Sequence, residues 1–226
     1  MEFANGQTKG SIYSIGYLVT DEHFHILIPP TDLLISPECE WNAYVKEHIL
    51  AYPIEEVEAA PTFPKCYEKI AALFSSVDLA VGFSVGNDVR ALRADCLRYE
   101  KPVITYRWFD LERLCKRMEE HKEAHGLDGY FAAWCGGTPD HRHRSDGDAR
   151  ATARILEEIC RRKRVDASML IAAYPECTGL ASESEPKKKP QNGGKGRKRF
   201  FRHRPKKRGG SKREKLEKQE IKESQS

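Results

Sequence analysis

Beyond Leu180 the chain has almost nothing with which to build a core. Residues 181–226 carry only Phe200, Phe201, Leu216 and Ile221 as sizeable apolar side chains, scattered among Lys, Arg, Gly, Pro and Ser. Such a stretch cannot bury enough apolar surface to offset its chain entropy, so it is expected to be disordered. Any folded domain is therefore expected in residues 1–180, with 181–226 as a Lys/Arg-rich tail. Charge divides near the same point. Residues 186–226 hold 17 Lys/Arg against four Glu, a net +13, while the other 21 Lys/Arg and 30 Asp/Glu leave residues 1–185 at −9. The overall +4 hides an acidic body and a strongly basic tail.

Several classes fall away early. An apolar run long enough to span a bilayer is absent, and no basic, apolar leader opens the chain, so neither a membrane partner nor secretion is expected. Seven cysteines, an odd number with no Cys-x-x-Cys pair, argue against a disulfide framework and a thiolate zinc site. They fit small core hydrophobes in a reducing cytoplasm.

Within the body, strand-like and helix-like patterns alternate. Ser11–Thr20 and Phe24–Ile28 read as a β-hairpin closed by Pro29-Pro30. Residues 40–50 read as a helix, and Pro61-Thr62-Phe63-Pro64 opens a second through Ser75. Leu79–Phe83 is a short apolar run suited to a strand buried on both faces, leading into a helix over 87–99. A strand over 103–108 and an amphipathic helix over 110–121 follow, then a Gly-rich irregular stretch over 126–144. The clearest helix is 149–162, where Thr152, Ile155, Leu156, Ile159 and Cys160 share a face. This alternation predicts an α/β domain, a mixed sheet flanked by helices.

Two carboxylates sit where helices begin. Asp88 follows the apolar strand and Asp148 stands at the head of the last helix. Each has a structural explanation: Asn87 as a cap with Asp88 answering the helix dipole, and Ser145-x-x-Asp148 as a capping-box pattern. His143 lies five residues before Asp148 and suits a general base near neutral pH, with His141 as the rival imidazole.

These residues carry a resemblance. AVGFSVGNDVRAL (80–92) resembles the second motif of the DEDDh 3′–5′ exonucleases, and HRSDGDARATA (143–153) their third, His-x4-Asp before an alanine-rich helix. Between them YRWFDLERL (106–114) is similar to the family's strand and Asp-led helix, and HI with EEVEAAPTF (48–63) to its connecting segment. The family includes the proofreading epsilon subunit of bacterial DNA polymerase III, ribonuclease T and oligoribonuclease. The resemblance implies a ribonuclease H-like fold over roughly residues 1–175. It also implies Mg²⁺ or Mn²⁺ as a pair of ions on oxygen ligands, about 3.5–4 Å apart, and a single-stranded or 3′-ended nucleic acid as substrate. A DNA polymerase is a further partner implied by the proofreading members.

The first motif departs from the family's Asp-x-Glu. Aligning Ala4-Asn5 places Glu2 on the family's Glu, and the Asp then falls immediately before Met1. Most of the central first strand falls there too, so it is expected to be largely truncated. Either the start was set at an internal Met or the chain is an inactive relative that still binds nucleic acid. Losing a central strand is costly for a domain stable by about 5–15 kcal/mol, which favours the first explanation. The implied metal ligands are Glu2, Asp88 and Asp148, with His143 as the base. Phe3 and Asn5 are placed beside the terminal nucleotide.

In the tail, Lys198, Arg199 and Arg202 are expected to neutralise phosphates, and Phe200 and Phe201 to stack on bases. A zinc site from Cys135, His141 and His143 is the remaining alternative, at a spacing that matches no standard site.

Overall fold

The structure is a computed structural model, and it describes residues 1–118, 120–140 and 144–182. His141, His143 and the whole basic tail lie outside the described residues, so the readings placed on them meet no structural observation.

Among the described residues, two three-stranded sheets organise the domain. In the first, β1 (Glu2–Phe3), β2 (Ile12–Thr20) and β3 (Ile26–Leu34) are antiparallel in that order. The second contains β4 (Ala80–Gly82), β5 (Tyr106–Asp110) and β6 (Thr178–Ala181), with β4 parallel and β6 antiparallel to β5. The helices are α1 (Ala43–His48), α2 (Ile54–Glu58), α3 (Phe63–Ser75), α4 (Gly86–Arg98), α5 (Leu111–Arg117), α6 (Gly126–Cys135), α7 (Ser145–Lys163) and α8 (Ala167–Ala173). The expected mixed sheet is thus present as two pieces. The break is visible along β2: among the described residues, β1 pairs with Ile12 and Ser14, and no strand lies beside the rest of that edge or the outer edge of β4. Both edges line a cavity of about 970 Å³.

Several element readings need correction. The prolines do not close the hairpin: β3 runs through Pro29-Pro30 to Leu34, with Tyr17 opposite Thr31 and Val19 opposite Ile28. The register shift between those pairs absorbs the two residues that lack N–H groups, which an edge strand tolerates. The stretch 126–144 is not wholly irregular, because α6 packs on α7 and buries Tyr130 and Trp134. β4 is not buried on both faces, since Val81 is 37% exposed. Asn87 does not cap α4; Val85 holds that position and Asn87 bonds Arg90 within the helix. Ser145 forms no capping box either, because Arg144 is the N-cap and the Ser145 hydroxyl turns to Ser14.

The long C-terminal helix matches its pattern closely. α7 buries Thr152, Ile155, Leu156, Ile159 and Cys160 along one stripe. That stripe packs into a core with Phe109, Leu111, Leu114 and Trp134. Each fully buried aliphatic or aromatic side chain contributes about 1.5–3 kcal/mol before entropy is subtracted. Arg164 ends the helix in the left-handed region at φ 56°, and Arg161, Arg162 and Lys163 complement the helix dipole. A second core, built on Ile12, Ile35, Phe63, Ile70 and Leu92, joins the first sheet to α3 and α4. Among the described residues, no helix is long and apolar enough to cross a membrane.

Candidate functional site

Glu2, Asp88 and Asp148 reach one region from three elements. Glu2 stands on β1 directly opposite Ser14 of β2. Asp88 and Asp148 each lie in the first turn of a helix, α4 and α7. Both aspartates act electrostatically on Glu2. Burial pushes the Glu2 carboxyl up to about 7; the Met1 ammonium opposes this, while the charges of Asp148, Asp88 and Asp32 add to it. Burial also raises Asp88, against the Met1 ammonium, whose nitrogen lies 3.3 Å from Asp88 Oδ1. A carboxylate whose charge is disfavoured by neighbouring acids, as Glu2 is by Asp148 and Asp88, is what a cation relieves.

Three carboxylates are hard oxygen donors, the chemistry Mg²⁺ and Mn²⁺ take. Among the described residues, however, no three His, Cys, Asp or Glu side chains stand close enough to hold an ion as they are. The donor set fits the ions, and its members share one electrostatic neighbourhood without closing on a common point. Asp88 and Met1 also line the wall of the 970 Å³ cavity, together with Ile15–Thr20 of β2, Ala80 and Val81 of β4, and Ala149, Thr152 and Ala153 of α7.

The other sequence-derived candidates divide. Phe3 pairs with Ile12 and packs against the second core, so its ring is a structural contact. The Asn5 side chain is engaged: its Nδ2 donates to the Glu40 carbonyl at 3.1 Å, and its Oδ1 accepts from Lys9 Nζ at 3.2 Å. Asp110, at the head of the Asp-led helix, caps α5 by accepting from the Arg113 backbone N–H at 3.2 Å. His143, Lys198, Arg199, Phe200, Phe201 and Arg202 lie outside the described residues.

A polar group beside Asp148 has no signature in local sequence pattern. Asp32 on β3, Tyr52 in the α1–α2 connection, and Ser14 and Gly16 on β2 surround the first residues of α7. Burial leads in raising Asp32, the Tyr52 hydroxyl opposes it, and the hydrogen bond with Asp146 pushes the same way as burial. Asp146 moves in the other direction: its own burial is outweighed by Asp32 and by the Arg144 guanidinium. The one clue was Gly16, a residue that weakens a strand unless something must approach its backbone.

No protein-family model matches the chain, and no curated protein matches it by sequence. A search of solved structures does find likeness. One is described as "3'-end specific recognition of histone mRNA stem-loop by 3'-exonuclease"; it superposes with a TM-score of 0.54 at 16% identity, over 69% of this chain and 74% of that one. This chain shares that fold. At such identity the likeness is one of architecture, and chemistry has to be argued from the side chains.

Proposed function

We propose that this protein is a metal-dependent 3′–5′ exonuclease that hydrolyses phosphodiester bonds at the 3′ end of a nucleic acid. One observation carries the reading: β1, α4 and α7 bring Glu2, Asp88 and Asp148 close enough for both aspartates to act on Glu2, within a fold shared with a 3′-exonuclease structure. That neighbour recognises the 3′ end of an RNA stem-loop, which supports a nucleic-acid partner here.

In this reading Glu2, Asp88 and Asp148 hold Mg²⁺ or Mn²⁺, and His143 takes the proton from the attacking water. The ions, when bound, stabilise the charge that grows on the phosphoryl group and the leaving 3′-oxygen. The protein's own contribution begins with burial. Glu2 sits half-buried on a strand and Asp88 is 21% exposed, so their carboxylates are thinly solvated and attract cations strongly. Asp148 is carried by a helix whose first turn is anchored to the first sheet, which limits how far that ligand drifts. A cavity of about 970 Å³ lies beside Asp88, lined by β2, β4 and α7. The basic tail supplies sequence-independent attraction for phosphates to a body of opposite sign.

The test is nucleotide release from 5′-labelled single-stranded DNA and RNA, with free and blocked 3′ ends, with Mg²⁺, Mn²⁺ or chelator. We expect metal-dependent shortening from free 3′ ends only, faster in a chain carrying Asp directly before Met1. A protein that binds the oligonucleotides but shortens none of them, even with that aspartate, is a silent nucleic-acid-binding relative, and the enzymatic reading fails.

A further inference from the structure

The first turn of α7 is held by a set of contacts that the proposed chemistry does not use. The Ser145 backbone N–H donates to the Tyr52 hydroxyl at 3.1 Å, and that hydroxyl donates to Asp32 Oδ2 at 2.7 Å. The Asp146 backbone N–H donates to Asp32 Oδ1 at 3.0 Å, and Arg144 reaches Asp32 Oδ2 at 3.4 Å. The hydroxyls of Ser14 and Ser145 are hydrogen-bonded to each other. Two of the helix's otherwise unpaired N–H groups are thereby satisfied by the neighbouring sheet and connection, rather than by a cap in their own chain segment.

An independent observation concerns the backbone. A Cβ at Gly16 would overlap the carbonyl carbon and oxygen of Ser145 and the nitrogen of Asp146. The helix start therefore lies directly on β2 at the one residue without a side chain. Ser14, two residues earlier, is also the register partner of Glu2. One short stretch of β2 thus touches the strand that carries Glu2 and the turn that carries Asp148.

Both oxygens of Asp32 are committed to these contacts, which marks it as a holder of the helix rather than an ion ligand. The surroundings are dry: Ser14 is 0% exposed, Ser145 3% and Tyr52 7%. Hydrogen bonds in such a place hold geometry strongly, because breaking one leaves a buried polar group unpaired.

We propose that Ser14, Asp32 and Tyr52 are positioning residues that lock the first turn of α7 onto β2 and so set the separation between Asp148 and Glu2. The proposal rests on the reading of Glu2 and Asp148 as ion ligands, and it assigns the lock a functional role: residues behind metal ligands tune affinity by fixing where the ligands stand.

The experiment compares the wild-type chain with Tyr52→Phe, Asp32→Asn and Leu170→Ala. Tyr52→Phe keeps the ring against Tyr13 and under Arg144 and removes only the hydroxyl. Leu170→Ala truncates a buried side chain in α8, away from the lock, and serves as a variant of lowered stability. Two readouts are taken: amide hydrogen exchange at Ser145 and Asp146, and Mn²⁺ affinity from the electron paramagnetic resonance signal of the free ion. The expected result is exchange at those amides faster by roughly tenfold in both lock variants. Mn²⁺ affinity should fall by about 10-fold or more in the same two variants, with Leu170→Ala keeping wild-type affinity. Wild-type exchange at both amides in the lock variants overturns the proposal, as does a loss of Mn²⁺ affinity in Leu170→Ala equal to theirs. If neither the wild-type chain nor one carrying Asp directly before Met1 binds Mn²⁺, the metal reading itself falls, and the exchange result alone then decides whether the lock exists.

Discussion

α4 and α7 each deliver an aspartate from a first turn, but they are mounted at opposite ends. α7 is gripped where its acid is: Ser145 and Asp146 bond to Tyr52 and Asp32, and Gly16 lets the backbones touch. The hydrogen bonds that α4 makes to other elements lie far from its acid, and Asp88 itself is held by the chain's first residue, the Met1 ammonium at 3.3 Å. Asp95 accepts the Ile12 backbone N–H at 3.2 Å, and Arg98 donates to the carbonyls of Gly10, Pro37 and Glu38. Asp95 comes seven positions after Asp88, about 10 Å along the helix. The N-terminal end of α4 has no side-chain cap, and its exposed Arg90 only bridges Asn87 and Gln7. A turn bonded to the sheet fixes its ligand directly, whereas Asp88 depends on the stiffness of the helix between and on a chain terminus. Asp148 is therefore the rigid member of the candidate set and Asp88 the compliant one.

The strongest way to break this comparison is through the acids themselves. Asp148→Asn and Asp88→Asn should each reduce 3′-end hydrolysis by at least about 100-fold while circular dichroism still reports a folded domain, since each change is isosteric and removes a charge. Activity that survives either change would remove that residue from the site.

Next in size is the difference between two glycines. Gly16→Ala forces β2 and α7 apart and should cost about 3 kcal/mol by denaturant unfolding. Gly86→Ala, at the start of α4, meets nothing closer than Arg90 Nη1 at 3.7 Å. It should be neutral or stabilise by up to roughly 0.5 kcal/mol. Equal costs at the two positions would mean that both helix starts are pressed against the sheet.

The far mounting of α4 is sharpened by pH. Asp95 is 1% exposed, and burial pushes its carboxyl up to about 7, against the Ile12 amide and the Arg98 guanidinium. The folded protein binds this proton more tightly than the unfolded chain does. The associated stabilisation is full below about pH 4 and is lost as pH rises through about 7. Asp95→Asn keeps the acceptor for Ile12 and cannot ionise, so its stability advantage over wild type should grow by up to roughly 4 kcal/mol between pH 4 and pH 8. A constant difference across that range would show that Asp95 does not titrate in the window.

The smallest effect is expected at the exposed end of α4. Arg90→Ala removes two surface hydrogen bonds, to Gln7 and Asn87, and should change unfolding free energy by less than about 0.5 kcal/mol. A loss well above 1 kcal/mol would make the loop before β2 a true anchor for Asp88.

What could be read from the chain alone was whatever is written in local periodicity. The stripe of α7 repeats at helical spacing, and Ile155, Leu156, Ile159 and Cys160 are buried as that spacing requires. The apolar pattern of α3 and the strand–helix joint before Asp88 were legible for the same reason. Asp88 and Asp148 stood out because they occupy the heads of helices, a local property. α6 was missed because its two glycines, the Gly136-Gly137 pair after it and the break at Pro139 masked a one-turn aromatic pattern, Tyr130 to Trp134, that gains its energy against α7.

Tertiary structure decided the rest. The capping box at Ser145 was a sound local expectation, yet Ser14 lies 131 residues away and offers the Ser145 hydroxyl a better-buried partner. Asp32 and Tyr52 belong to the site only because strand pairing and the α1–α2 connection carry them to the start of α7. Local pattern records which face of an element is apolar, because burial acts on each residue in turn. It does not record which polar groups meet across elements, because such hydrogen bonds are chosen by register and close backbone approach, and these exist only once the chain has packed.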